Sequence, residues 1–98
     1  MSLKTDVIGH WDKTSASPCS EQYPERLEFR DQGLYFGQRD PQGTYTHWDA
    51  GTWETVGENQ MKLSTANDAV IAYAVQLKGS ALKFTDAQNC EIEYRRRP

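Results

Sequence analysis

The sequence predicts an all-β chain: a small antiparallel up-and-down barrel of about eight strands, one domain over residues 1–98. Three observations predict it. Apolar residues recur at period two along most of the chain, the spacing of strands with one face in a core and one in water. Turn signals rich in Gly, Pro, Asn and Asp separate these runs at short intervals. The chain has 98 residues and 37% hydrophobic content, enough for one core and too little for two.

The first strand, 7–14, carries Trp11. An irregular stretch with Pro18 and Pro24 follows. In 26–31, Leu27 and Phe29 alternate with Glu28 and Arg30, and Asp31-Gln32-Gly33 turns the chain tightly into 34–39. There Leu34 and Phe36 flank Tyr35, and Phe36 is assigned to the interior. Asp40-Pro41-Gln42-Gly43 fits a type I turn, with Pro at its second position and Gly at its fourth. Strands 44–49 and 52–56 surround a bend at Asp49-Ala50-Gly51 and read equally well as one bent strand. Met61 and Leu63 mark 60–66. The alanine-containing segment 67–76 is the one helix candidate, yet Ile71, Tyr73, Val75 and Leu77 alternate strictly, so 69–78 is assigned as strand. Leu82 and Phe84 define 81–86, and Ile92 and Tyr94 define 89–96. Closing such a meander removes its sheet edges.

Composition excludes several functions. A net charge of −3 speaks against a nucleic-acid binder with a broad basic face. Arg95-Arg96-Arg97 reads as a solvated strand end. No apolar run approaches the ~20 residues of a bilayer span. Met1-Ser2-Leu3-Lys4 has no apolar signal region, so any export signal is expected to be missing from this sequence.

Cys19 and Cys90 match no zinc spacing. They are either unpaired thiols of a cytosolic protein or one disulfide of an exported one. Barrel closure favours the disulfide. The first strand would pair antiparallel with the last, placing Cys19, after the first, near Cys90, at the start of the last. The bond would pin the seam and the 15–25 loop, and the protein would be periplasmic or secreted.

No catalytic constellation is present, and no enzyme, cofactor or metal is expected. His10 lies between Gly9 and Trp11 and points opposite to Trp11. His47 and Asp49 share a face with Tyr45 and could form a polar patch. The serines sit in no nucleophile motif and the glycines in no phosphate loop. Tyr35, Tyr45, Trp48 and Trp53 are assigned to the core; Tyr35 and Trp48 fall out of phase with some apolar neighbours, so a surface position for one or both is the alternative, where they would mark a partner or sugar site.

Gly9-His10-Trp11 resembles the Gly-x-Trp signature of lipocalins and related calycins. The order of Trp11, Cys19, Leu27-Glu28-Phe29 with Gly33, Gly51-Thr52-Trp53, Leu82-Lys83-Phe84 and Cys90 with Tyr94-Arg95-Arg96 is similar to that of small bacterial lipocalin-like domains. The resemblance spans nearly the whole chain. It implies that Trp11 plugs one barrel end beneath a basic residue of the last strand, and Arg96, in phase with Ile92 and Tyr94, takes that place. It also implies a non-catalytic binding protein for a small apolar ligand held in the barrel mouth by Phe29, Phe36, Trp53 and Tyr73. The alternative is a periplasmic protein-binding module such as a hydrolase inhibitor, inserting loop 15–25 or its N-terminal residues into a target. The Ser-Gly-x-x-Tyr signature of lysozyme inhibitors is missing. The chain has no room for a C-terminal helix, and an eight-stranded barrel is just wide enough to be filled by its own side chains or to hold one small ligand.

Overall fold

A computed structural model describes residues 3–15, 17–38, 48, 50–65 and 69–97. Within them, α1 (Leu3–Asp6) precedes strands β1 (Gly9–Lys13), β2 (Arg26–Phe29), β3 (Leu34–Gln38), β4 (Ala50–Val56), β5 (Gln60–Ser64), β6 (Val70–Lys78), β7 (Ala81–Thr85) and β8 (Glu91–Arg96), with a 3-10 turn at Pro18–Gln22. The strands form a closed barrel in which each pairs with its sequence neighbour. β1 returns antiparallel to β8 through Trp11↔Arg96, Asp12↔Arg95 and Lys13↔Tyr94. Thr14 extends this seam, its N–H donating to the Glu93 carbonyl at 2.8 Å. Among the described residues no helix is long and apolar enough to cross a membrane.

The connections sort to two ends. The lower end carries α1 and the β2–β3, β4–β5 and β6–β7 turns; the upper end carries the described part of the 14–25 loop and the β7–β8 connection, and there β3 and β5 end and β4 and β6 begin. Helix α1 is absent from the sequence-based expectation, which begins a strand at residue 7. A single helical turn is too short to show periodicity, and it holds because Leu3 and Val7 are buried beneath the barrel. The expected 40–43 turn lies outside the described residues, as does the 44–49 strand apart from Trp48.

Period two sets which side chains enter the core. Leu27 and Phe29, Met61 and Leu63, Tyr73 and Val75, Leu82 and Phe84, and Ile92 and Tyr94 are buried pairs on successive strands. β3 corrects the sequence reading. Tyr35 points inward and is fully buried, while Leu34 and Phe36 point outward and are 40% and 36% exposed. All three residues are apolar or aromatic, so periodicity could not choose the phase. The β2–β3 register chooses it, by setting Tyr35 opposite the inward Phe29. Gly51 is the β4 partner of Tyr35, and a Cβ there would lie 3.2 Å from the Tyr35 ring. Ile71, also expected in the core, is 38% exposed at the upper end of β6.

Candidate functional site

The lower end is closed by Trp11. Its ring is fully buried, and its indole N–H donates to the Val7 carbonyl at 2.9 Å. The Arg96 guanidinium carbon lies 4.3 Å from the ring centroid. Arg96 also donates through Nη1 to the Ile8 carbonyl at 3.0 Å and through Nη2 to the Asp6 carbonyl. It therefore joins the ring to the α1–β1 connection. Gly9 makes room for it: its φ is +135°, and a Cβ would come within 2.8 Å of Arg96 Nη1. The structure thus brings Gly9, Trp11 and Arg96 together. A guanidinium over an indole contributes roughly 0.5–2 kcal/mol.

The upper end is closed by a second tryptophan. Trp48 is 0% exposed. Its ring packs against Tyr23, Phe84 and Tyr73 at centroid distances of 4.6, 4.8 and 5.1 Å. Its indole N–H donates to the Tyr73 hydroxyl at 3.1 Å. Tyr35 and Trp48 thus follow the core reading and not its surface alternative: both rings complete the core, and neither forms a surface patch. Trp48 falls out of phase with some apolar neighbours in the sequence, so periodicity alone could not fix its burial.

Burial disfavours ionisation of the phenols around this plug. Desolvation raises the pKa of Tyr23, helped by the hydrogen bond it donates to Asp86 Oδ2 at 2.8 Å. Desolvation likewise raises that of Tyr73. It lifts Tyr94 well above the usual phenol range, with the Tyr94 hydroxyl donating to the Pro24 carbonyl at 2.8 Å. These groups remain neutral donors and acceptors at physiological pH.

The 14–25 loop is fastened over this end in three ways. Cys19 and Cys90 are disulfide-bonded, with an S–S distance of 2.12 Å and Cα atoms 6.0 Å apart. Asp86 is the second fastening: its Oδ2 accepts the Tyr23 hydroxyl, and its Oδ1 presets Cys90 by accepting the N–H groups of Gln88 and Cys90, both at 2.9 Å, in a turn that Asn89 completes at φ +65°. Lys13 is the third fastening. Its side chain is only 3% exposed. Its ammonium donates to the carbonyls of Ser20 and Tyr23 at 2.8 and 3.0 Å and lies 3.4 Å from a Glu25 oxygen. The sequence reading missed Lys13, although its inward phase with Gly9 and Trp11 was the available signal.

Of the four residues expected to line a ligand mouth, three are packed interior residues. Phe29, Trp53 and Tyr73 are 1%, 6% and 3% exposed. Phe29 and Trp53 meet edge to face at 5.5 Å, and the Trp53 indole N–H is shared between the Arg30 and Leu34 carbonyls, both at 3.0 Å. Phe36 is not among them: it lies on the outer wall with the Arg30 guanidinium 4.3 Å from its centroid.

The histidines form no described catalytic pair. His10 is outward, with Nε2 3.8 Å from Glu28 Oε2, while His47, Asp49 and Tyr45 lie outside the described residues. Among the described residues no three His, Cys, Asp or Glu side chains group as metal ligands.

The outer wall over β1–β3 carries a cleft of about 150 Å³, bounded by His10, Arg26, Glu28, Phe36, Gln38 and Arg97. Beside it, Arg97 grips Asp12 with two donors, Nε at 3.1 Å and Nη2 at 2.5 Å. This hydrogen bond holds the Asp12 carboxyl below the usual carboxylate range. No family model, no curated protein and no solved structure matches the chain.

Proposed function

We propose that this chain is a non-catalytic, extracytoplasmic protein-binding module built on a lipocalin-like barrel, for example an inhibitor of a hydrolase. One observation carries the reading: a buried, hydrogen-bonded tryptophan closes each end of the barrel, and side chains occupy the inward positions between them. A small-molecule carrier needs a concave pocket, commonly of roughly 300–1,000 Å³, to surround its cargo. The residues best placed to line one here already pack on each other. That weighs against the apolar-ligand reading and leaves the outer surface as the part of the molecule able to recognise something.

The Cys19–Cys90 pairing supports a compartment outside the cytoplasm, where disulfides persist. The Trp11–Arg96 stack supports kinship with the lipocalin-like barrels that the Gly-x-Trp pattern resembles. Tryptophan fluorescence titrated with apolar ligands, beside binding assays against purified proteases and lysozymes, tests the proposal. The expected result is complex formation with a protein and no saturable quenching by the small molecules. Saturable quenching together with no protein complex would reverse it.

A further inference from the structure

The Cys19–Cys90 bond is placed unevenly between core and solvent. Cys90 belongs to the buried core cluster and is 6% exposed. Cys19 is exposed, in the 3-10 turn Pro18–Gln22. At the surface the Ser17 hydroxyl lies 3.5 Å from the Cys19 sulfur. A disulfide sulfur carries no proton, so the hydroxyl is the donor. Cys19 also borders an open hollow of about 440 Å³, whose walls include Ser15, Ser17, Lys83 and Glu93. A thiolate opens a disulfide by attacking one of its sulfurs, and access decides which one. Attack on Cys90 needs a path to a buried residue. Attack on Cys19 needs only the hollow that Cys19 borders.

Opening this bond has a mechanical consequence. Two described links join the Pro18–Tyr23 stretch to the β7–β8 connection: the disulfide, and the hydrogen bond from the Tyr23 hydroxyl to Asp86. The turn couples Cys19 to Tyr23, because the Ser20 N–H donates to the Ser17 carbonyl and the Tyr23 N–H to the Ser20 carbonyl, both at 3.1 Å. Tyr23 packs its ring on Trp48 at 4.6 Å. With the disulfide open, the Tyr23–Asp86 hydrogen bond alone remains of those two links. Lys13 still ties the Ser20 and Tyr23 carbonyls to β1, so the loop is loosened and not lost.

We propose that Cys19 is the entry point of a redox latch: a dithiol reductant opens the disulfide through Cys19, and the loosened loop uncovers Trp48. The attacking thiolate bonds to the Cys19 sulfur, and the Cys19–Cys90 bond breaks with its electron pair leaving on Cys90. The second thiolate of the reductant then closes on its own first sulfur and expels Cys19 as a thiolate. The protein gains two electrons and, from the two thiols by way of water, two protons; the dithiol becomes a cyclic disulfide. The latch is independent of what the outer surface of the barrel binds.

The test uses the full, oxidised chain. Brief exposure to limiting 2-mercaptoethanol is followed by acid quenching, alkylation and peptide mapping. The mixed disulfide should sit on Cys19 and the alkylated thiol on Cys90, about tenfold over the reverse. Dithiothreitol should reduce the bond without denaturant. Hydrogen exchange of the Trp48 indole N–H should then quicken by about tenfold, while the Trp11 and Trp53 indoles keep their rates. Reoxidation should restore the slow exchange. The variant carrying Cys19→Ser and Cys90→Ser should show the fast Trp48 exchange with no reductant present.

Equal or reversed labelling of the two cysteines would overturn the proposal, as would reduction that proceeds only in urea. An unchanged Trp48 rate in the fully reduced protein would make the bond a passive staple and overturn the latch. Joint quickening of all three indoles would overturn it too, because it reports opening of the whole barrel.

Discussion

Replacing Trp48 with alanine probes whether the upper end of the barrel is closed by packing. Trp48 is fully buried against Tyr23, Tyr73 and Phe84. An aromatic side chain of this size withdraws roughly 200 Å² from water, which at ~25 cal/mol per Å² is about 5 kcal/mol. Core Trp→Ala changes cost about 3–5 kcal/mol, because neighbours collapse only partly into the hole. The variant also leaves the Tyr73 hydroxyl without its indole donor. With a urea dependence of about 1.5 kcal/mol per molar, the unfolding midpoint should fall by about 2–3 M. The hole would be lined by aromatic rings and shaped for an indole. Added indole at about a hundredfold over its dissociation constant should therefore restore roughly 2.7 kcal/mol. The assay is urea unfolding followed by circular dichroism, with and without indole. A midpoint change below about 0.5 M, with no recovery on adding indole, would refute the view that Trp48 plugs the barrel.

Other perturbations have defined outcomes. Arg96→Met keeps a long side chain over Trp11 but removes the charge and both donors to the α1–β1 connection; chemical denaturation should show a loss of about 2–3 kcal/mol, while Arg96→Lys should lose less. Replacing both Cys19 and Cys90 with serine removes a constraint between residues 71 apart in sequence; the chain-entropy account predicts about 4 kcal/mol lost in urea melts, and a midpoint equal to that of the oxidised protein would contradict it. The phenols of Tyr23, Tyr73 and Tyr94 are held protonated in the fold, with pKa values raised above the unfolded value. Their contribution is fully present below the ordinary phenol value of about 10 and is lost as pH rises beyond it, because the unfolded chain then releases protons that the folded chain retains. Tyrosinate absorbance should therefore rise together with loss of the circular dichroism signal above about pH 10; ionisation of all the tyrosines near pH 10 in an intact fold would contradict this.

Much of the architecture was legible because one physical constraint governs it. Strands with one face in water must alternate, and Leu27/Phe29, Leu82/Phe84 and Ile92/Tyr94 do so without ambiguity. The Cys19–Cys90 pairing followed from closing the meander. What stayed hidden depended on register or on single contacts. The phase of Leu34-Tyr35-Phe36 is undetermined locally and is set by the pairing of Tyr35 with Phe29. That missing phase also sent Phe36 into the expected ligand site instead of onto the outer wall. Trp48 falls out of phase with some apolar neighbours, and Lys13 was passed over although it shares the phase of Gly9 and Trp11; its carbonyl partners define its role.

The central claim is that the barrel is filled by its own side chains and recognises partners from outside. The indole ¹H–¹⁵N signals of Trp11, Trp48 and Trp53 test it most directly, since these rings report on both ends and on the interior. During titration with long-chain fatty acids and other apolar ligands, the account predicts that all three signals stay in place. A saturable shift of Trp48 and Trp53 would contradict it.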